Sequence, residues 1–207
     1  NFNQDLSNWD VSNVNTMERM FSYASNFNQD LSSWDVSNVN TMVHMFSQAS
    51  SFNGDISSWD VSNVALMNDM FSGASSFNGD ISSWDVSNVN NMARMFIHFT
   101  SFNQDISSWD VSSVTTMRQM FKWAEFNQDI SGWDVSSVTD MYDMFMFYEV
   151  EFLSDENKCA IHTAWSFNSA WEYDWSELCG ILGCTDESAC NYNPEATEDD
   201  GSCFYYD

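Results

Sequence analysis

One sentence is written six times in this chain, and that repetition constrains the fold more than any local pattern does. Copies begin at Asn1, Asn26, Ser51, Ser76, Ser101 and Glu125, spaced by 25 residues except for one interval of 24. The shared pattern is F-N-[QG]-D-[LI]-S-x-W-D-V-S-[NS]-V-x-x-M-x-x-M-F. A fixed period in this range means stacked units, because no single copy can bury its own apolar side chains. Twelve of the 13 Met and six of the 10 Trp fall on repeat positions, so the unusual composition is one stacking set copied six times.

Two periods coexist inside a copy. In residues 30–36 the apolar positions roughly alternate, as a strand requires. Val39, Met42, Met45 and Phe46 follow at i, i+3, i+6 and i+7, which is one face of a helix. Ser37, Asn38 and Asn40 stand upstream, where they can cap exposed N–H groups. The expected coil is a short strand, a corner, about two helical turns and a return through small polar residues. Six such coils make an α/β solenoid over residues 1–150, followed by a C-terminal cap (151–180) and a Cys-rich acidic module (181–207).

The repeat resembles that of the BspA-like leucine-rich-repeat surface proteins of bacteria, found often in Bacteroidota and mycoplasmas, and six full copies carry the match. The resemblance implies a leucine-rich-repeat-like stack, a secreted or cell-surface location and a role in adhesion or surface structure. It implies no catalytic site.

Two aspartates recur in every copy: Asp5, Asp30, Asp55, Asp80, Asp105 and Asp129, then Asp10, Asp35, Asp60, Asp85, Asp110 and Asp134. Stacked at strand spacing, like carboxylates repel by about 1 kcal/mol per neighbouring pair in a watery medium. Two arrangements relieve this. Each Asp can accept backbone N–H groups at its corner, as an Asx turn. Alternatively, cations such as calcium can sit between coils. The Asx turn is the favoured reading. Only five Lys and Arg face 31 Asp and Glu, a formal charge of −26 that excludes nucleic acid and anionic membrane surfaces as natural partners.

The repeat fades after Phe145. Residues 152–179 begin with the cap signal Ser154-Asp155 and are bracketed by Cys159 and Cys179, whose disulfide would staple an element with little core of its own. Cys159-x-x-His162 is half a zinc motif and is discounted. The stretch 183–207 resembles short Cys-rich acidic modules that recur in secreted Bacteroidota proteins. Its Asp186, Asn191, Asn193, Glu198, Asp199 and Asp200 are oxygen ligands of the kind calcium takes, weighed evenly against a stapled acidic turn without metal. Five Cys leave one over; the expectation pairs Cys190 with Cys203 and leaves Cys184 free or joined to another molecule. This cysteine usage fits an oxidising, extracellular setting.

The chain starts at the first residue of a full copy, with no initiator Met, signal peptide or cap sequence, and no stretch is apolar for long enough to span a membrane. An uncapped first copy would expose Phe2, Leu6 and Trp9 along an open edge, and open edges pair. After each Met-Phe the residues vary and turn aromatic towards the C-terminal half, giving Ile97, Phe99, Trp123, Phe147 and Tyr148 as further interface candidates. Two functions follow. One is a structural subunit joining itself head to tail into an extracellular filament. The other is a monomeric adhesin holding a host protein or glycan on the solenoid face. Catalysis is not expected: His44, His98 and His162 lie at variable or cap positions, without a nucleophile–base pair. Calcium is the one cofactor considered.

Overall fold

The computed structural model describes residues 2–98, 100–146, 152–180, 182–199 and 201–205. The six copies form six coils laid one on another. Coil 1 donates four backbone hydrogen bonds to coil 2: Met17 to Thr41, Arg19 to Val43, Phe21 to Met45 and Tyr23 to Ser47, at 2.7–3.0 Å. The same four positions join each later pair of coils. One parallel bridge marks each junction, running Thr16, Thr41, Leu66, Asn91, Thr116 and Asp140.

The ladder runs through the stretch expected to be helical. Alternate N–H groups point to the next coil, while those between them close tight turns, as Met20 does on Met17, Ser22 on Arg19 and Ala24 on Phe21. A helix would direct every N–H back along its own axis and leave none for a neighbour. This alternation needs left-handed backbone twice per coil. It is found at Arg19 and Tyr23, His44 and Gln48, Asp69 and Gly73, Arg94 and His98, Gln119 and Trp123, and Asp143, with φ between +54° and +72°. The stretch expected to be a strand, residues 30–36, is instead folded by turns, with Trp34 N–H on the Leu31 carbonyl. Helix among the described residues is confined to α1 (Asp155–Trp165) and a 3-10 turn at Ser176–Leu178; β1 (Leu182–Gly183) and β2 (Glu198–Asp199) pair in parallel.

Side chains repeat the ladder inside. Val39, Met42, Met45 and Phe46 are all fully buried, as are their counterparts in coils 3 to 5 almost without exception. Phe27, Phe52, Phe77 and Phe102 stack at 5.9 Å. A second Phe column stands 3.9–4.1 Å from the first. Trp34, Trp59, Trp84, Trp109 and Trp133 each donate Nε1–H to a Leu or Ile carbonyl of the coil before, at 2.9–3.1 Å. The indole therefore buries its area without an unpaired polar group.

Residues 152–175 sit where another coil would. Asn28, Asn53, Asn78, Asn103 and Asn127 each donate N–H to the Asn Oδ1 of the coil before, and Ser154 N–H continues that column onto Asn127 Oδ1 at 2.9 Å. Trp165, on α1, stacks on Trp133 at 6.2 Å, close to the 6.3–6.4 Å spacing of the indoles below. A disulfide between Cys159 and Cys179 closes this segment.

Candidate functional site

All twelve repeat aspartates fold their own corners. Each accepts the backbone N–H two residues on: Ser7 on Asp5 and Ser12 on Asp10 in coil 1, through to Ser131 on Asp129 and Ser136 on Asp134 in coil 6, at 2.8–3.1 Å. The Ser hydroxyl two residues on, together with this N–H, favours the charged carboxylate and holds Asp10, Asp35, Asp85, Asp105, Asp110 and Asp134 below their ordinary value, and the N–H followed by the hydroxyl does so for Asp5, Asp30 and Asp80. Repulsion from the next Asp in the column is the smallest influence on Asp30, Asp35, Asp85 and Asp110. Solvent screens it, because these side chains stand in water. The columns are architecture.

The copies differ most along another part of the coil. The two left-handed columns and the residue before each carry Glu18-Arg19, Val43-His44, Asn68-Asp69, Ala93-Arg94, Arg118-Gln119 and Tyr142-Asp143, then Ser22-Tyr23, Ser47-Gln48, Ser72-Gly73, Ile97-His98 and Lys122-Trp123. Four of the five Lys and Arg lie here, and each has an acid beside it. Arg19 Nε is 3.4 Å from Glu18, Arg94 Nε 3.3 Å from Asp69, Arg118 Nη1 3.8 Å from Asp140 and Lys122 Nζ 2.7 Å from Asp143. His44 approaches the same Asp69 carboxylate at 3.8 Å. Burial works to raise Asp143, yet hydrogen bonds from Lys122 and Gln119 hold it below its ordinary value. Burial, then Lys122 and Arg94, lowers His98, which stays neutral at neutral pH. Aromatic surface joins the charges: the Arg118 guanidinium lies 4.3 Å over Tyr142, and Lys122 and His98 flank Trp123 at 4.9 and 5.1 Å. On a strongly acidic molecule this is a balanced face of paired charge and aromatic rings.

The first and last of these six coils differ. The carbonyls of Thr16, Glu18, Met20 and Ser22 correspond to those of Thr41, Val43, Met45 and Ser47, yet have no donor among the described residues. Phe2 and Trp9 beside them are 44% and 54% exposed. At the other end Asp143 N–H donates to Glu172 Oε1, and Phe145 N–H donates to the Tyr173 hydroxyl at 2.9 Å. Asn168 Nδ2 reaches the Val135 and Val138 carbonyls at 2.7 and 3.0 Å. Burial raises Tyr173 far above the usual phenol value, so its hydroxyl stays protonated.

Of the interface candidates, Phe2 and Trp9 are exposed on coil 1 and Trp123 is half-buried on the variable face. Leu6 and Ile97 offer no surface, each being 4% exposed. Coil 2 covers Leu6, and Ile97 fills a position where Ser47 and Ser72 are buried too. Phe99, Phe147 and Tyr148 lie outside the described residues.

In the tail Cys203 is joined to Cys184, not Cys190, and Cys190 is the free, exposed thiol. The parallel pairing of β1 with β2 and the bridge between Cys184 and Tyr192 set that connection. The oxygens expected to bind calcium hold the loop itself. Asp186 accepts from Ser188 and the Tyr205 hydroxyl, Asn191 bonds Ser202 and Phe204, Asn193 accepts from Glu195, and Asp199 accepts from Gly201. Asp200 and the Glu198 side chain lie outside the described residues. Among the described residues no three His, Cys, Asp or Glu converge to hold an ion, and no helix is long and apolar enough to cross a membrane.

A family model described as "Mycoplasma protein of unknown function, DUF285" matches residues 1–82 and again 79–170, consistent with the BspA-like repeat. No curated protein and no solved structure matches the chain.

Proposed function

We propose, for a chain that belongs to the family described as Mycoplasma protein of unknown function, DUF285, a role as a secreted or surface-held binding module built on a solenoid of the leucine-rich-repeat kind, without catalytic activity. One observation carries the reading. The copies keep their buried residues and Asp corners and differ at the left-handed columns, where side chains leave an otherwise uniform frame. Rigid scaffolds that vary only where side chains project are how recognition surfaces are made. Arg118, Tyr142, Lys122, Trp123 and His98 supply amphipathic rings and forked donors, which anchor protein and glycan partners. Two disulfides support an oxidising setting and hence secretion.

The head-to-tail fibre would reuse the hydrogen-bond ladder that joins the coils. Residues 152–175 stand against it in the closed form, because they cover the edge that a second copy would need.

The test is binding of the labelled full chain to an array of host extracellular proteins and glycans. Saturable binding is expected, weakened about tenfold by Arg118→Ala or Trp123→Ala, as loss of one anchor contact of about 1.4 kcal/mol gives. Asp60→Asn, at a corner in the other half of the coil, should bind as the parent does. Binding that is weak, unsaturable and equal in all variants would refute the reading.

A further inference from the structure

The structure assigns a saccharide-binding pocket to the seam between coil 6 and the cap, shaped for one ring of a neutral glycan. It stands apart from the recognition face: Arg118, Tyr142, Lys122, Trp123 and His98 take no part in its lining.

The pocket has a volume of about 340 Å³, at the small end of the range of about 300–1,000 Å³ that small-ligand sites occupy. Coil 6 lines it with Ser136, Val138 and Thr139, and the cap with Phe167, Asn168 and Ser169. None of these is charged, on a chain with 31 Asp and Glu. Ser166-Phe167-Asn168 repeats the Ser-Phe-Asn that opens coils 3 to 5. Phe52, Phe77 and Phe102 are fully buried there, whereas Phe167 is 69% exposed at the pocket. Asn168 fixes the chain beside it, because its Nδ2 holds the Val135 and Val138 carbonyls and its Oδ1 accepts the Ala170 N–H at 2.8 Å. The Phe167 ring is therefore presented outward from an anchored backbone.

The coil side of the pocket supplies acceptors. In coils 1 to 5 the carbonyl at the Thr139 position, from Asn15 to Thr115, accepts a backbone N–H of the next coil at 2.9–3.0 Å. In coils 1 to 3 the carbonyl at the Ser136 position accepts Nδ2–H of Asn38, Asn63 or Asn88 at 2.7–2.8 Å. In coil 6 neither the Thr139 nor the Ser136 carbonyl has a donor among the described residues. Thr139 Oγ1 donates its proton to the Thr115 carbonyl at 3.1 Å, so it can meet a ligand only as an acceptor. Acceptors beside an exposed ring suit a ligand with hydroxyl donors on its edge and C–H groups on its face, which is a pyranose. A cation finds carboxylates elsewhere on this surface and none in the pocket, and an anion meets the repulsion of a −26 charge.

The test is saturation-transfer NMR on the full chain with the methyl glycosides of glucose, galactose, mannose and N-acetylglucosamine, and with tetramethylammonium as a cation probe. At least one glycoside should bind saturably, with transfer concentrated on the C–H face of its ring. Phe167→Ala should weaken that binding about tenfold, as loss of one stacked ring gives, while Phe167→Tyr should keep it. Ser169→Trp, which fills the pocket and leaves the Phe167 ring in place, should abolish it. Both positions are exposed, so these variants should fold as the parent does. Arg118→Ala, on the recognition face, should bind the glycoside unchanged, which separates failure of this pocket from failure of that face. The inference is overturned if no glycoside binds, if Phe167→Ala and Ser169→Trp bind as the parent does, if Arg118→Ala alone loses binding, or if tetramethylammonium binds through Phe167 where the glycosides do not.

Discussion

Asp186 accepts from the Ser188 hydroxyl, the Tyr205 hydroxyl and the Ser188 N–H, and these bonds lower its pKa to about 2. The same contact raises Tyr205. A carboxylate depressed on folding lends stability that is whole above its ordinary value of 3.8 and is lost as pH falls through about 2. Titration followed by carbon NMR should therefore place Asp186 below the free Asp range, and Tyr205→Phe should move it upward. A midpoint at the ordinary value would show that the Tyr205 bond is absent in solution. At this scale the sequence was only partly readable. The Asx role of the repeat aspartates follows from D-[LI]-S and D-V-S, since a short side chain can reach only its own corner. The partner of Cys203 does not follow, because three cysteines in an acidic loop permit several closures and the bridge near Cys184 is a long-range contact.

At the scale of the coil, left-handed backbone lets a ladder replace a helix. Gly73 has φ +69°, and a Cβ there would meet Gln48 Nε2 at 2.2 Å. Gly73→Ala should cost about 1–2 kcal/mol in unfolding free energy, the strain of an L-residue in this conformation. The cost should fall in a Gln48→Ala background, which removes the colliding amide; equal costs in both would assign the effect to backbone strain alone. Trp84 ties coil 4 to coil 3 through its bond to the Ile56 carbonyl at 3.1 Å. Trp84→Phe loses that bond and leaves a partly filled space, so thermal or urea unfolding should show a loss of about 1–3 kcal/mol. A neutral result would mean that the column is held by ring area alone. The inward set of Val39, Met42, Met45 and Phe46 was legible from spacing. Its conformation was not, because a helical face and a chain that turns every few residues both return side chains to the core at intervals of three and four. Hydrogen bonds to the next coil decide between them, and no window within one copy contains those bonds.

For the whole molecule, repetition made the stack readable, and the end of repetition hid its closure. Ser154, Trp165, Glu172 and Tyr173 each complete a column of the coils, yet they come from an unrelated sequence and partly from a helix. Matching side chain to ladder across that change of backbone needs the fold. The variable face was legible in part, as the stripe after Met-Phe, while its charge pairing links residues about 25 apart and emerges only on stacking. The last coil of the stack is closed by residues 152–175, and amide hydrogen exchange on the full chain tests this most directly. Asp143 and Phe145, bonded to the cap, should exchange as slowly as Arg94 and Phe96 inside the stack. The amide of Met141, which has no acceptor among the described residues, should exchange faster, although its counterpart Met117 is held on the Asp140 carbonyl at 2.9 Å and should be slow. Asp143 and Phe145 exchanging as fast as Met141 would contradict the closure.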